Sequence, residues 1–229
     1  MSRFQTTRWS LIATAASEVT ARSRPALEQL CRAYRPPVVA YIRHSGYGPA
    51  DADDLAQAFF LRLLERDWCA HADPARGRFR ALMLTSLRHF LADQAAHART
   101  RAHLGARASE EQLERLASPD GPEQAFTRAW LEVLLERAVD RLRQEWRQAG
   151  RQAEFQRIGP LLLEDADPGQ LKALALQWGV RANTVGVRVH RMRARLRQLA
   201  RLELLQTVDS QEALDAELAE LRGAIEAPP

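Results

Sequence analysis

Histidine and carboxylate side chains recur at one-turn spacing in the segment FRALMLTSLRHFLADQAAHAR. His89, Asp93 and His97 are spaced i, i+4 and i+8, as metal ligands on one helix face would be. Three ligands stacked in this way span about 12 Å, too far for a single ion. A pair of them could bind a metal, so a helical metal-dependent hydrolase is one hypothesis. We nevertheless expect no metal, no cofactor and no catalytic residue, because no serine-histidine-acid pattern or glycine-rich phosphate loop accompanies them.

Arginine is the second residue type with chemical potential, since its forked guanidinium group binds phosphate and guanine. Lys172 is the single lysine of the chain, a preference that we attribute to genome composition. The distribution of charge is more informative than its type. Seven arginines and no acid lie between residues 179 and 201, whereas seven acids and one base lie between 203 and 226. A basic block followed by an acidic tail indicates nucleic acid as the partner of the block.

Two predicted helices carry the basic block. A short apolar helix ends at Trp178, Gly179 supplies a tight turn, and a second helix starts near Asn183, whose side chain can cap it. The second helix buries a stripe of Val185, Val189, Met192, Leu196 and Leu199. Its other face has no acid at i, i+4 to neutralise the arginines, which favours DNA binding over a solvated surface. The predicted DNA contacts of this helix-turn-helix are Arg181, Thr184, Arg188, Arg191, Arg193 and Arg195.

Two further helices are predicted in the first half of the chain. The helix DADDLAQAFFLRLLER has a core face of Leu55, Ala56, Phe59 and Leu63, and an opposite face that includes Asp54, Gln57, Leu61 and Arg62. An exposed Leu61 is unusual for a helix that meets only water, although a solvated face remains the alternative. The helix from Phe79 to Arg99 has a core face of Met83, Leu84, Leu87, Phe90 and Leu91. Its arginines outside the core, with two in the preceding loop, suit a nucleic-acid strand: Arg76, Arg78, Arg80, Arg88 and Arg99.

The whole chain is predicted to be all-α, with two small helical domains joined by an acidic linker. The expected segments are an N-terminal domain over 1–100, a linker over 101–127, a C-terminal helix-turn-helix domain over 128–205, and an acidic amphipathic tail over 206–229. No long apolar run or signal peptide is evident, so we expect a cytoplasmic protein without a membrane partner. Cys31 and Cys69 form no disulfide framework.

Three of these segments resemble the extracytoplasmic-function sigma factors of the sigma-70 family, in the order in which that family carries them. ANTVGVRVHRMRARLRQL is similar to the promoter-reading helix G-T-V-K-S-R-L-H-R-A-R-x-R-L. DADDLAQAFFLRLLER resembles D-A-E-D-L-V-Q-E-V-F-L-R-L, and FRALMLTSLRHFLAD resembles F-R-x-W-L-x-x-I-A-R-N-x-x-x-D. The resemblance covers about residues 26–99 and 128–203, and order together with spacing makes it more specific than a single helix-turn-helix match.

The resemblance implies a binding function without catalysis. Asp54, Gln57, Leu61 and Arg62 would bind the clamp of core RNA polymerase. The loop and helix that carry Arg76, Arg78, Arg80, Arg88 and His89 would recognise and melt the minus-ten element. The last basic helix would read the minus-thirty-five element, and the acidic linker would run through the polymerase cleft.

Departures from the family pattern are His89 in place of asparagine and Gly186 in place of lysine. Gly186 costs helix propensity, or allows close approach of the backbone to DNA. The stretch 145–168 and both termini are additions with no sequence account. For the tail, we weigh a solvated helix against one that folds back on the basic helix or docks on polymerase. Autoinhibition by this tail and a separate anti-sigma protein both stay open, as does a stand-alone helix-turn-helix regulator.

Overall fold

The computed structural model describes residues 23–65, 79–103, 121–163, 167–208 and 210–226, and every regular element in these ranges is helical. The all-α prediction is therefore confirmed. The α-helices are α1 (Ser23–His44), α2 (Pro49–Glu65), α3 (Phe79–His103), α4 (Pro122–Gln148), α5 (Gln152–Ile158), α6 (Pro168–Trp178), α7 (Ala182–Leu205) and α8 (Gln211–Glu226), with a 3-10 helix at Gly159–Leu161. None of these helices is both long and apolar enough to cross a membrane.

The chain divides into two compact units. Unit 1 contains the described residues up to Val133 and those from Leu204 onward. Unit 2 contains the described residues between Leu134 and Glu203. The start of α4 and the acidic tail thus belong to unit 1. The predicted C-terminal domain, 128–205, therefore begins six residues before unit 2 and ends two residues after it. The expected linker lies largely outside the described residues, while 101–103 and 122–127 at its two ends are helical.

The core of unit 1 contains the apolar faces predicted for α2 and α3. Burial is nearly complete for Ala56, Phe59, Leu63, Met83, Leu84, Leu87, Phe90 and Leu91, and Leu55 is half-buried. The 3.6-residue period of an α-helix places these side chains on one face of α2 and one face of α3, so this part of the core is predictable from the sequence. Phe59 and Phe90 connect the two helices with an edge-to-face contact at 5.5 Å between ring centroids.

The start of α4 joins unit 1 through aromatic residues. Phe126 and Trp130 are fully buried, and the Trp130 indole Nε1 donates a hydrogen bond to the Tyr34 hydroxyl at 3.3 Å. Tyr34 in turn packs edge-to-face on Phe79, the first residue of α3, at 4.8 Å between ring centroids. Large aromatic side chains bury the most apolar area per residue, which explains why α4 packs in unit 1 at this point.

The acidic tail is an integral part of unit 1. Val208, Leu214 and Leu221 are almost completely buried, and Leu218 is half-buried. Three of the four positions predicted for its apolar stripe, Leu214, Leu218 and Leu221, are therefore covered, and the interpretation of the tail as a solvated helix is wrong. The fourth position, Ile225, lies outside the residues whose side chains the structure describes. Two carboxylates of the tail, Glu217 and Glu220, accept hydrogen bonds from Arg80 at the start of α3.

Unit 2 is built from the second half of α4, residues 151–162 of the additional stretch 145–168, α6 and α7. All five residues of the stripe predicted for α7 are buried: Val185, Val189, Met192, Leu196 and Leu199. The additional segment, for which the sequence offered no account, supplies Phe155, Ile158, Leu161 and Leu162 to the same core. Its structural role is therefore to complete the apolar core behind α7.

The turn between α6 and α7 is tight and glycine-dependent. Gly179 has φ +62°, a left-handed conformation, and its N–H donates to the carbonyls of Ala175 and Leu176. α6 begins with a capping box at Asp167 and Gln170. α7 begins at Ala182, one residue before the predicted cap, so Asn183 lies inside its first turn.

Substitution by alanine should change the stability of the protein in opposite directions at two glycines, one in this turn and one in α7. Gly186 lies inside α7, and a Cβ added there meets nothing within 4 Å, so Gly186→Ala should stabilise the protein by about 1 kcal/mol. A Cβ at Gly179 is equally unobstructed, but its left-handed backbone should make Gly179→Ala destabilising by about 1–2 kcal/mol. Denaturant unfolding of the two full-length variants checks this pair, and a destabilising Gly186→Ala would contradict the helical assignment of that position.

Candidate polymerase and nucleic-acid interfaces

The exposed face of α2 carries the residues predicted to bind a protein partner. Asp54 and Gln57 are exposed, and Leu61 exposes 51% of its surface although it follows two buried phenylalanines in the sequence. Arg62 is half-buried because its Nη2 donates to the Asp93 carboxylate at 2.6 Å. The first three residues therefore form an open surface with an apolar side chain at its C-terminal end, and Arg62 forms its edge toward α3.

On α3, Arg88 and His89 lie at the surface as predicted. Arg88 forms an ion pair with Glu123 at 2.5 Å, and both side chains are more than half exposed, so this pair contributes little to stability and a phosphate can compete for the arginine. Arg76 and Arg78 lie outside the described residues. In the predicted metal-ligand series of His89, Asp93 and His97, the carboxylate of Asp93 accepts a hydrogen bond from Arg62.

Arg80 is buried, at 4% exposure, so the prediction that it stays available outside the core is wrong. Its Nε donates to Glu217 Oε1 at 2.5 Å, its Nη2 to Glu220 Oε1 at 2.5 Å, and its Nη1 to the Thr127 hydroxyl at 3.1 Å. Burial by itself would lower the pKa of the Arg80 guanidinium, but the hydrogen bonds and charges of the two glutamates raise it above its ordinary value. The side chain therefore stays positively charged inside the unit.

Glu217 is not among the predicted site residues, and it lies 137 residues away from Arg80 in the chain. A local signal did exist: Glu217 lies three residues after Leu214 and four before Leu221, on the same helix face. A carboxylate within an apolar stripe indicates a buried ion pair, because burial of an unpaired charge is very costly. Its partner cannot be read from helical periodicity.

On α7, Arg188 is held between two other elements of unit 2. Its Nη1 donates to Glu154 Oε1 at 3.1 Å, and its guanidinium lies 5.4 Å from the centroid of the Trp178 ring. Glu154 belongs to the additional helix α5, and Trp178 is the last residue of α6. Arg188 is thus held against the C-terminal residue of α6, with part of its side chain still exposed.

Two other predicted DNA contacts have internal partners. Arg195 donates from Nε and Nη2 to the two carboxylate oxygens of Glu145 at 2.9 and 2.6 Å. This hydrogen bonding lowers the pKa of Glu145 and raises that of Arg195. Arg193 donates from Nε and Nη2 to the Leu161 carbonyl at 3.2 and 2.8 Å. Along α7 itself, no acid lies at i, i+4 from these arginines, as predicted, but α4 and α5 supply Glu145 and Glu154.

At the start of α7 lies an exposed surface that pairs with no acid among the residues that the structure describes. Arg181, Thr184 and Arg191 are all exposed there, as predicted. Val187, 41% exposed, lies between Thr184 and Arg191 on the same face and was not predicted. The spacing i, i+3, i+7 identifies it, and an exposed apolar group there can contact the methyl group of thymine.

Glu154→Gln should raise the affinity of this surface for promoter DNA. The substitution removes a carboxylate that competes with phosphate for Arg188, and a partly exposed pair of this type predicts a gain of about two- to five-fold. The matched control is Asp140→Asn, which also removes one negative charge from unit 2, but from an exposed local pair with Arg143. Competition binding at one fixed salt concentration measures both variants, and equal gains would mean that net charge, rather than the Arg188 pair, controls affinity.

Residues 30–101, from α1 to α3, match the family model described as sigma-70 region 2. This match supports a sigma-70 family member, and it implies the role of region 2 in RNA polymerase binding and promoter melting. Region 2 belongs to a family of transcription factors rather than of enzymes. The search of curated proteins and the search of solved structures found no match.

Proposed function

We propose that this protein is a sigma factor of the extracytoplasmic-function type, which binds core RNA polymerase and directs initiation at specific promoters. The observation that carries the proposal is the coincidence of the region 2 match with the open face of α2. A leucine that exposes half of its surface beside Asp54 and Gln57 is suited to a protein interface, because apolar anchors within a polar rim provide most of the binding energy of such contacts.

Promoter melting is assigned to α3. Arg88 and His89 are exposed on this helix, and in our proposal they contact the separated strand of the minus-ten element together with Arg76 and Arg78. A positively charged face follows a phosphate backbone without sequence preference, while an aromatic ring such as imidazole can stack on an unpaired base.

Recognition of the minus-thirty-five element is assigned to the start of α7. The short turn at Gly179 and the exposed Arg181, Thr184 and Arg191 support this assignment. In a helix-turn-helix, the N-terminal residues of the second helix contact base edges and flanking basic residues contact phosphates. Arg188 joins them once a phosphate or base replaces Glu154. Arg193 and Arg195 must first leave Leu161 and Glu145, so we assign them a smaller contribution.

Run-off transcription with core RNA polymerase on a genomic promoter library tests the proposal. We expect the protein to bind core polymerase and to direct initiation from a defined set of promoters that core polymerase alone does not use. Failure to bind core or to direct initiation would refute it. Binding of duplex DNA in the absence of core, without stimulation of initiation, would instead support the stand-alone regulator.

A further inference from the structure

Glu217 occupies a position on α8 where an apolar residue is expected. It lies on the same face as Leu214 and Leu221, and it is 1% exposed. A carboxylate is stable at such a position only with a charged or hydrogen-bonding partner, because it loses its hydration on burial. That partner is the guanidinium of Arg80, in the first turn of α3, at 2.5 Å.

Additional contacts attach the same turn of α3 to the C-terminal part of the chain. Glu220 accepts a hydrogen bond from Nη2 of Arg80, and the Thr127 hydroxyl accepts one from Nη1. The backbone N–H of Phe79 donates to the carbonyl of Thr207 at 3.2 Å, and Thr207 is itself 1% exposed. The start of α3 is therefore held by both backbone and side-chain contacts from residues 207–220.

The side of α3 that α8 covers differs from the side that is open to solvent. At about 100° per residue, His89 is about 180° and Arg88 about 80° around the helix from Arg80. Both residues are exposed, whereas Arg80 is buried. α8 thus fixes α3 without covering Arg88 and His89, the two described residues that are assigned to the minus-ten strand.

We propose that α8 is a strap that positions α3 for promoter opening, and that Arg80 is a positioning residue held by Glu217 rather than a contact to the minus-ten strand. The proposal rests on the proposed function, since it concerns the helix to which melting is assigned. A strap is required for activity, so its disruption lowers promoter opening. An autoinhibitory helix would have the opposite effect.

The first test does not need polymerase. In full-length protein, Glu217→Gln should increase amide hydrogen exchange over residues 79–87 by about ten-fold or more, because the start of α3 loses a buried ionic partner. Exchange in α2 should stay unchanged. The matched control is Glu212→Gln, which removes the same charge from an exposed position of α8 and should leave exchange as in the unsubstituted protein. Unchanged exchange in Glu217→Gln would overturn the strap, whatever the protein's function.

The second test measures opening itself. Holoenzyme formed with Glu217→Gln should show about ten-fold less permanganate reactivity of the minus-ten thymines, while its affinity for core polymerase stays within about two-fold. A merely structural role would lower core binding and folded fraction together with opening. Increased opening in Glu217→Gln would identify an autoinhibitory helix and overturn the proposal.

The third test separates positioning from DNA contact. Arg80→Met combined with Glu217→Met replaces the buried pair by apolar groups of similar length, a change that often preserves stability where single removal does not. We expect opening to return to within about three-fold of the unsubstituted level. If opening stays lost while exchange over residues 79–87 is normal, Arg80 contacts DNA and the positioning role is wrong. If the unsubstituted protein itself neither binds core nor opens a promoter, the proposed function fails, and the exchange test still decides the strap.

Discussion

Leu61→Arg should weaken binding to core RNA polymerase by about 30-fold or more, the factor that corresponds to loss of an interface anchor of about 2 kcal/mol. Leu61 exposes 51% of its surface, so the protein tolerates a larger polar side chain there without loss of its fold. At the proposed interface, however, the same substitution would bury a charge against an apolar contact. Equilibrium binding of labelled protein to core polymerase measures the effect, and thermal unfolding should show a change of stability below about 0.5 kcal/mol.

The control for Leu61 is Leu176→Arg, the same substitution at a leucine that is 84% exposed on α6. It introduces the same charge and removes the same apolar group, but outside the face assigned to polymerase. We expect its affinity for core polymerase to stay within about two-fold of the unsubstituted protein. Equal weakening by both substitutions would show that α2 has no special role in binding.

Charge reversal at Arg188 and Arg191 together should reduce promoter-directed synthesis by about 100-fold or more, since each arginine contact to DNA contributes about 1–3 kcal/mol. Arg191 is exposed on α7, Arg188 keeps part of its side chain exposed beside Glu154, and neither contributes to the buried stripe of that helix. The variant loses the pair between Arg188 and Glu154 but keeps the core of α7, so it should fold and bind core polymerase, and lose its function at the step of promoter recognition. Run-off transcription from an identified promoter, with core binding measured in parallel, checks this expectation.

Arg222→Glu provides the control for the change in net charge, and it is compared with Arg191→Glu. Arg222 is exposed on α8, within the acidic tail, and is not assigned to DNA. We expect Arg222→Glu to retain synthesis within about two-fold and Arg191→Glu to lose most of it. Full synthesis by the double variant at Arg188 and Arg191 would refute the assignment of α7 to promoter recognition.

Helical periodicity made the cores of α2, α3 and α7 predictable. The positions of Phe59, Leu87 and Val189 in their stripes follow from 3.6 residues per turn, and all three are buried. Leu61 and His89 fall outside these stripes, and both are exposed. The burial of the additional helix α5 was not predictable from periodicity, because a helix of seven residues has too few turns to show a period and its burial depends on the other helices of unit 2.

The partners of the arginines were not predictable in the same way. Three of the acids that engage them come from other helices: Glu217 for Arg80, Glu154 for Arg188 and Glu145 for Arg195. These pairs are separated by 137, 34 and 50 residues in the chain. A sequence comparison at i, i+3 and i+4 examines pairs within one helix, so it leaves such contacts undetected.

Local sequence determined three features of this protein: the order of the helices, their apolar faces, and the division into a basic block and an acidic tail. Tertiary packing decided which charges remain at the surface. Arg191 and Arg88 are exposed, whereas Arg80 is enclosed by α8, although all three are arginines on amphipathic helices. The physical reason is that a buried charge is stable only beside a partner of opposite charge, and distant parts of the chain supply that partner only when the helices pack.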